Sequence, residues 1–286
     1  MTEVFEAIYT ARALRKLKSD PVADAVISRV LDAAIRAPSA GNAQNWIFVV
    51  VREGEQRKRL GAIYRKASMI ASAMYAARGR PPHMTEEQFQ RMLTSGAYLW
   101  EHMGDAPVIL VPCQSRPKLP PEASLAPELR EKFAQEERYV ERIRGASIYP
   151  AVQNIILACR ALGLATIITT NHIRCEDEVK VVLGIPHDVD TFAMMPIGYP
   201  EGQFGPVTRR PVAEVTYADR WACAWSSRPP VRLSVENRSV VVGWASSLSK
   251  AQPRAHAPPS PVGHPIRLLG ITQTEMRWFC CHRVFV

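Results

Sequence analysis

Ala37-Pro38-Ser39-Ala40-Gly41-Asn42-Ala43-Gln44-Asn45-Trp46 runs straight into the apolar Ile47–Val51, and this passage decides how the chain is read. Before it, Val22 to Ile35 carries apolar residues at helical spacing behind an Asp20-Pro21 start signal. A simple connection from helix to strand needs about two to six residues. Ten small or amide residues, with Gly41 to let the backbone approach closely, predict a loop that holds a ligand.

Outward from this loop, helices are expected over 55–78 and 85–103, the second capped by Thr85 with Gln88. Ala106–Cys113 is a short apolar run of buried-strand type, 114–127 a Pro-rich loop, and 128–143 a polar helix. Ile148–Leu162 has apolar residues on nearly every face and predicts a long, central, buried helix ended by Gly163 in a left-handed cap. Strands are expected at 164–170, 191–197 and 212–217, with a helix at 175–183. Long helices come in pairs between the strands, so the fold class is α+β rather than a regular βαβ repeat.

Composition bounds the function. Hydrophobic residues make up 47% and charged residues 22%, as in soluble globular chains. No apolar run is long enough to span a membrane. The N-terminus has no secretory pattern, so the expected location is cytoplasmic. The six cysteines form no CxxC pair, and Cys113 and Cys159 sit in apolar segments as small core residues, so neither a disulfide framework nor a metal site is expected. "HIRCEDE" (172–178) fits a helix start with acids in its first turn better than a zinc pattern. The net charge of +9 is uneven. Residues 1–226 hold 28 basic and 25 acidic residues, whereas 227–286 hold 8 and 2. The main body therefore offers no nucleic-acid-binding face. Two regions are expected: a body at 1–226, and a basic extension at 227–286, rich in Ser, Pro and Arg and poorly ordered, with a weak hairpin signal around Glu236-Asn237.

Three basic or polar segments are candidates for chemistry. Arg12 and Arg15, three apart on a helical end, would share one face and clamp a phosphate; taken alone, a solvated basic face explains them better. Ser39, Asn42 and Gln44 offer donors and acceptors, or simply stabilise a turn. Arg209 and Arg210 form a second clamp or a charged edge.

In sequence, the basic N-terminal segment, APSxxNxQxW, the apolar strand, "SIYPAVQNIILACRALGLAT" and "MPIGYPEGQFGPVTRRPVAEVTYADRW" resemble the nitroreductase family of flavin mononucleotide (FMN) oxidoreductases. The resemblance spans residues 3–222. It implies a mixed, mainly antiparallel sheet flanked by helices around a long buried central helix. It also implies a homodimer with one FMN in each of two interface pockets. Arg12, Ala13 and Arg15 match the phosphate-and-ribityl segment. Pro38, Ser39, Ala40, Asn42 and Gln44 match the loop along the ribityl chain and ring edge. Ile168, Thr169 and Thr170 fall where backbone donors face the ring, and Arg209, assisted by Arg210, matches the C-terminal phosphate ligand. Ala11 stands where many members have Arg, Ala13 where many have Ser, and Asn45 where the loop usually has Pro.

The family's chemistry belongs to the flavin, so no side chain is expected to be a catalytic acid, base or nucleophile. Hydride would come from NADH or NADPH and leave, by ping-pong turnover, to nitroaromatics, quinones or similar flat acceptors. Residues 64–103 would form a lid, with Tyr75, Phe89 and Trp100 as its candidate contacts. Three rivals stand beside this: a flavin store or sensor that is not an enzyme, a specialised member acting on one small metabolite, and nucleic-acid binding through the basic tail.

Overall fold

The structure is a computed structural model that describes residues 3–225. Residues 1–216 form one compact unit and a second begins at Tyr217. The expectations for 227–286, the hairpin around Glu236-Asn237 among them, lie outside the described residues.

In the first unit the chain runs through α1 (Val4–Thr10) and α2 (Asp24–Ala34), then the loop, into β1 (Trp46–Val51). Two long helices, α3 (Gly54–Arg78) and α4 (Glu86–His102), lead to β2 (Val108–Ser115). They are followed by α5 (Pro127–Arg130), α6 (Phe133–Ile143), α7 (Ile148–Ala161), β3 (Ala165–Thr166), α8 (Glu176–Leu183), β4 (Val189–Thr191) and β5 (Met195–Gly198). Of the second unit, the described part is a tight turn closed by a bridge between Tyr217 and Ala224.

The sheet is built around β2, buried from Val108 to Gln114. β1 pairs with one side of it, β5 and β4 with the other, and β3 lies beyond β5; every ladder is antiparallel. Successive strand residues point to opposite faces. Val108 and Leu110 therefore enter the core under α2 and α7, while Ile109, Val111 and Cys113 enter the core under α3, α4 and α8. Helix α7 buries Ile148, Ala151, Val152, Ile155 and Cys159, which fall on one helical face. Its other faces are half-buried, so it is less enclosed than its composition predicts. The Thr85–Gln88 capping box forms, and Gly163 adopts φ +75 after α7.

Four expected elements differ. The strand at 164–170 stops after two residues: continuing the register sets Ile167 against Pro196, which has no N–H to donate. The strand at 191–197 is split. Thr191 faces Cys113 and Met195 faces Leu110, so three residues oppose two and form a bulge beside Pro112, another residue without a donor. The region 212–217 has no partner strand in its own unit and forms a 3-10 turn at Val212–Glu214 behind Pro211. The helix at 128–143 breaks at Glu131–Lys132, where no buried residue holds it straight.

One helix contact limits substitution. A Cβ on Gly61 of α3 would lie 2.8 Å from the backbone nitrogen of Gly104. In an open helix, alanine would stabilise this position. Here Gly61→Ala should lower the unfolding free energy by about 1–3 kcal/mol through overpacking, read from urea denaturation. A stabilised variant would show that the two backbones are not in contact.

Candidate functional site

The two ends of the first unit are zipped together. Lys18 N–H donates to Tyr199 O (2.8 Å), Glu201 N–H to Lys16 O (3.1 Å) and Val207 N–H to Tyr9 O (3.2 Å). The expected shared helical face of Arg12 and Arg15 does not exist, because α1 ends at Thr10, Ala11 is extended and Leu14 N–H donates to Arg12 O in a tight turn. The pairing achieves a similar result by another route. It draws the basic N-terminal segment along the 199–207 strap, and a Cβ on Gly205 would sit 3.7 Å from an Arg12 guanidinium nitrogen.

Arg15 stands between two cavities. The larger, about 800 Å³, lies between residues 12–16 and the outer face of α4 around Gln90, Thr94 and Tyr98. The smaller, about 250 Å³, is walled by Tyr64, Tyr75, Trp100 and residues 167–171. The Arg15 guanidinium donates to Ser95 Oγ (2.9 Å) and has no carboxylate partner among the described residues. Burial lowers its pKa from the usual value, partly offset by the Tyr64 phenol, whose own pKa burial raises. A half-buried cation without a counter-ion is costly unless an anion arrives.

Opposite Arg15, the chain leaves the sheet after β3. The N–H groups of Ile168, Thr169 and Thr170 donate to no other described residue. Thr169 is tied to the bulge: Met194 N–H donates to Thr169 O (2.9 Å), and Thr169 Oγ1 donates to Met194 O (2.6 Å). Its hydroxyl proton is thereby committed to the Met194 carbonyl, while Ile168, Thr169 and Thr170 line the smaller cavity with their backbone N–H groups free.

The loop at 37–46 is held from within. Ser39 Oγ accepts from Gln44 N–H (3.0 Å), Asn42 Oδ1 accepts from the Gln44 amide (3.1 Å), and Ser147 Oγ accepts from Ala40 N–H (3.1 Å). Gly41, Asn42 and Gln44 all adopt positive φ, at 58, 53 and 48. For a non-glycine residue that conformation costs about 1–3 kcal/mol and marks functional segments. Pro38, Ala40, Asn42 and Gln44 are exposed. The loop precedes β1 at one sheet edge, whereas Ile168 follows β3 at the other. Three strand spacings, about 14 Å, separate them laterally.

Residues 12–15 and 168–170 thus meet at the paired cavities, and the loop does not join them within one chain. Arg209 and Arg210 line a separate cavity of about 500 Å³ with His83 and Met84. Tyr75 and Trp100 face the smaller cavity; Phe89 is buried and is not among its walls. Ser95 and Asn171 had no sequence signal, because each earns its place by a contact across the fold. Burial pushes the thiols of Cys113 and Cys159 up to about 12, so they are inert core groups. Among the described residues no cluster of His, Cys, Asp or Glu could hold a metal, and no helix is long and apolar enough to cross a membrane.

Similar proteins agree on one fold. A provisionally named NADH dehydrogenase/NAD(P)H nitroreductase of Archaeoglobus fulgidus is 26% identical over 206 residues, covering 71% of this chain and 88% of that protein. Iodotyrosine deiodinase 1 of Rattus norvegicus is 24% identical over 198 residues, which is 69% of this chain but only 62% of the deiodinase. Among solved structures, a BluB-like flavoprotein from Clostridium difficile 630 aligns with a TM-score of 0.57 at 21% identity, over 77% of this chain and all of that one. An iodotyrosine deiodinase bound to FMN and 3-iodo-L-tyrosine aligns at 0.54 and 15% identity, over 73% and 96%. The sequence profile of the nitroreductase family matches residues 8–199, well over half of the chain, and to that family the chain belongs.

Proposed function

We propose that this chain is an FMN-dependent oxidoreductase that accepts hydride from NADH or NADPH and delivers it, by ping-pong turnover, to nitroaromatics, quinones or similar flat acceptors. The observation that carries this is Arg15, a half-buried cation without a counter-ion, set between two cavities, the smaller of which is lined by Ile168, Thr169 and Thr170 with free backbone N–H groups. The cavity sizes suit an organic cofactor of this size. Bound there, FMN would supply two-electron hydride exchange through its ring. Arg12 and Arg15 would hold the phosphate and the ribityl chain, with Ala13 contributing backbone only. The N–H groups of Ile168, Thr169 and Thr170 would hydrogen-bond the ring edge. Arg209 and Arg210 would approach the phosphate along the strap, while Tyr75 and Trp100 would cover the acceptor face.

The working unit is a homodimer in this proposal. A loop of strained, exposed residues at the sheet edge opposite Ile168 serves a second copy of the chain rather than its own. On α1, Val4, Phe5 and Tyr9 are 60%, 63% and 62% exposed, an apolar face suited to the same contact. Pro38, Ser39, Ala40, Asn42 and Gln44 of one subunit would then line the pocket of the other. Flavin binding is assigned in this proposal to residues 1–226.

A specialised reaction on one small aromatic metabolite is a second proposal, supported by the deiodinase relatives and the small, aromatic-walled inner cavity. Flavin reoxidation by one substrate class, with no turnover of simple quinones, would establish it in place of the general reductase.

Two outcomes are expected. Arg15→Met should weaken FMN binding by about 1.5–3 kcal/mol, the scale of a hydrogen bond to a charged group, without lowering the melting temperature of the flavin-free protein. Unchanged FMN affinity would remove Arg15 from the site. The chain should sediment as a dimer and release flavin fluorescence on dilution to monomer; a monomer that retains FMN would overturn the shared pocket.

A further inference from the structure

A buried polar chain lies directly behind the wall of the smaller cavity. His172, fully buried, follows Thr170 and Asn171 in the same 3-10 turn. Its Nε2 is 3.1 Å from Thr191 Oγ1. The Thr191 hydroxyl and backbone N–H both donate to Glu176 Oε1, at 2.8 and 2.6 Å. Because the hydroxyl proton is directed to the carboxylate, Thr191 Oγ1 must accept from His172. Nε2 therefore carries a proton, and burial among groups that offer Nδ1 no partner keeps the ring neutral as the Nε2–H tautomer. Its Nδ1 is buried with no hydrogen-bond partner.

The chain ends in a rigid frame. Lys180 Nζ lies 3.6 Å from Glu176 Oε1 and 3.7 Å from Asp190 Oδ1, and Asp190 is bonded to Arg116 (2.7 Å) and Arg144. A leucine or methionine would fill the His172 site without leaving a buried nitrogen unsatisfied. What the histidine adds is direction: one donor, aimed at β4, in a segment that has left the sheet. Asn171 supplies a second tie, its amide donating to Ser68 Oγ on α3 (3.1 Å).

The geometry points to His172 as a positioning residue: through Thr191 and Glu176 it sets where the N–H groups of Ile168, Thr169 and Thr170 face the cavity. This rests on the flavin proposal for what those N–H groups bind, but the positioning itself can be read without flavin. The neutral ring is essential to it. A proton on Nδ1 would be buried facing no acceptor. Glu176 is the charged group that acts on the ring; Lys180 and Asp190 stand one step beyond it, and Arg174 on the same turn is bonded to Asn171.

Burial lowers the His172 pKa from 6.5 to about 4, against the opposing charge of Glu176. A folded value below the unfolded one means that the neutral ring stabilises the fold. Its contribution is complete above the ordinary value and lost as pH falls through about 4. Asp190 holds its charge into more acid solution: burial raises its pKa, but the Arg116 hydrogen bond and the charges of Arg144 and Arg116 outweigh that and hold it below the usual carboxylate range. On acidification the wall should loosen while Asp190 behind it remains ionised.

The test is hydrogen–deuterium exchange of the flavin-free full-length protein, followed by FMN titration by fluorescence. In His172→Leu, the amides of Met194 and Ile173, which donate to Thr169 O and Thr170 O, should exchange at least tenfold faster than in wild type, while β2 remains protected, and FMN affinity should fall about tenfold. Wild-type exchange at these two amides would overturn the positioning role, and so would faster exchange with undiminished FMN affinity. If wild type itself binds no FMN, the flavin proposal fails and the exchange result alone decides the role of His172. Should His172→Leu fail to fold, His172→Gln decides, since its amide can donate to Thr191 but cannot titrate. With exchange corrected for the intrinsic pH dependence of free amides, protection of the Met194 and Ile173 amides in His172→Gln should then stay constant as pH falls toward 4, where that of wild type drops; a parallel drop in both would overturn the proposal.

Discussion

Everything in the first unit is placed by β2. It is buried along nearly its whole length, and its alternating side chains divide between two cores, so neither layer of helices can shift without disturbing the other. Its neighbours fix the two sheet edges, with the amide loop before β1 and the free N–H groups after β3. Two prolines refine that frame. Pro112 accompanies the bulge that brings Met194 to Thr169, and Pro196 ends the β3 ladder, so the chain departs with its donors unspent.

The candidate site gathers features that cost stability. Arg15 is half-buried without a counter-ion, Asn42 and Gln44 hold positive φ, and His172 buries a bare ring nitrogen. Each is unfavourable by itself, and all three lie in or beside segments expected to touch the cofactor. Such violations cluster where a fold has been kept for what it binds rather than for its own stability.

Much of this is legible in the sequence, and the failures have physical causes. The loop at 37–46 shows itself because a run of small and amide residues between helix and strand is longer than the connection needs, and α2, α3, α4 and α8 follow helical spacing. The strands at 164–170 and 191–197 are overdrawn because apolar content does not reveal the donors that Pro196 and Pro112 lack. Arg12 and Arg15 lie beyond the end of α1, in a segment paired with the 199–207 strap, rather than on a helix. That pairing depends on residues 199–207, nearly two hundred positions away. Ser95, Asn171 and the His172–Thr191–Glu176 chain are invisible in sequence for the same reason. The expectation of a poorly ordered extension at 227–286 lies outside the described residues.

The central claim is that the paired cavities around Arg15 hold a flavin that nicotinamide can reduce. The most direct measurement is the visible spectrum of the purified, FMN-incubated protein under anaerobic conditions, before and after NADH and then NADPH. The account predicts a bound flavin spectrum that bleaches with one or both donors and recovers when an acceptor is added. A bound flavin that neither donor bleaches would contradict the reductase and leave a flavin store or sensor. Absence of any bound flavin would contradict the site itself.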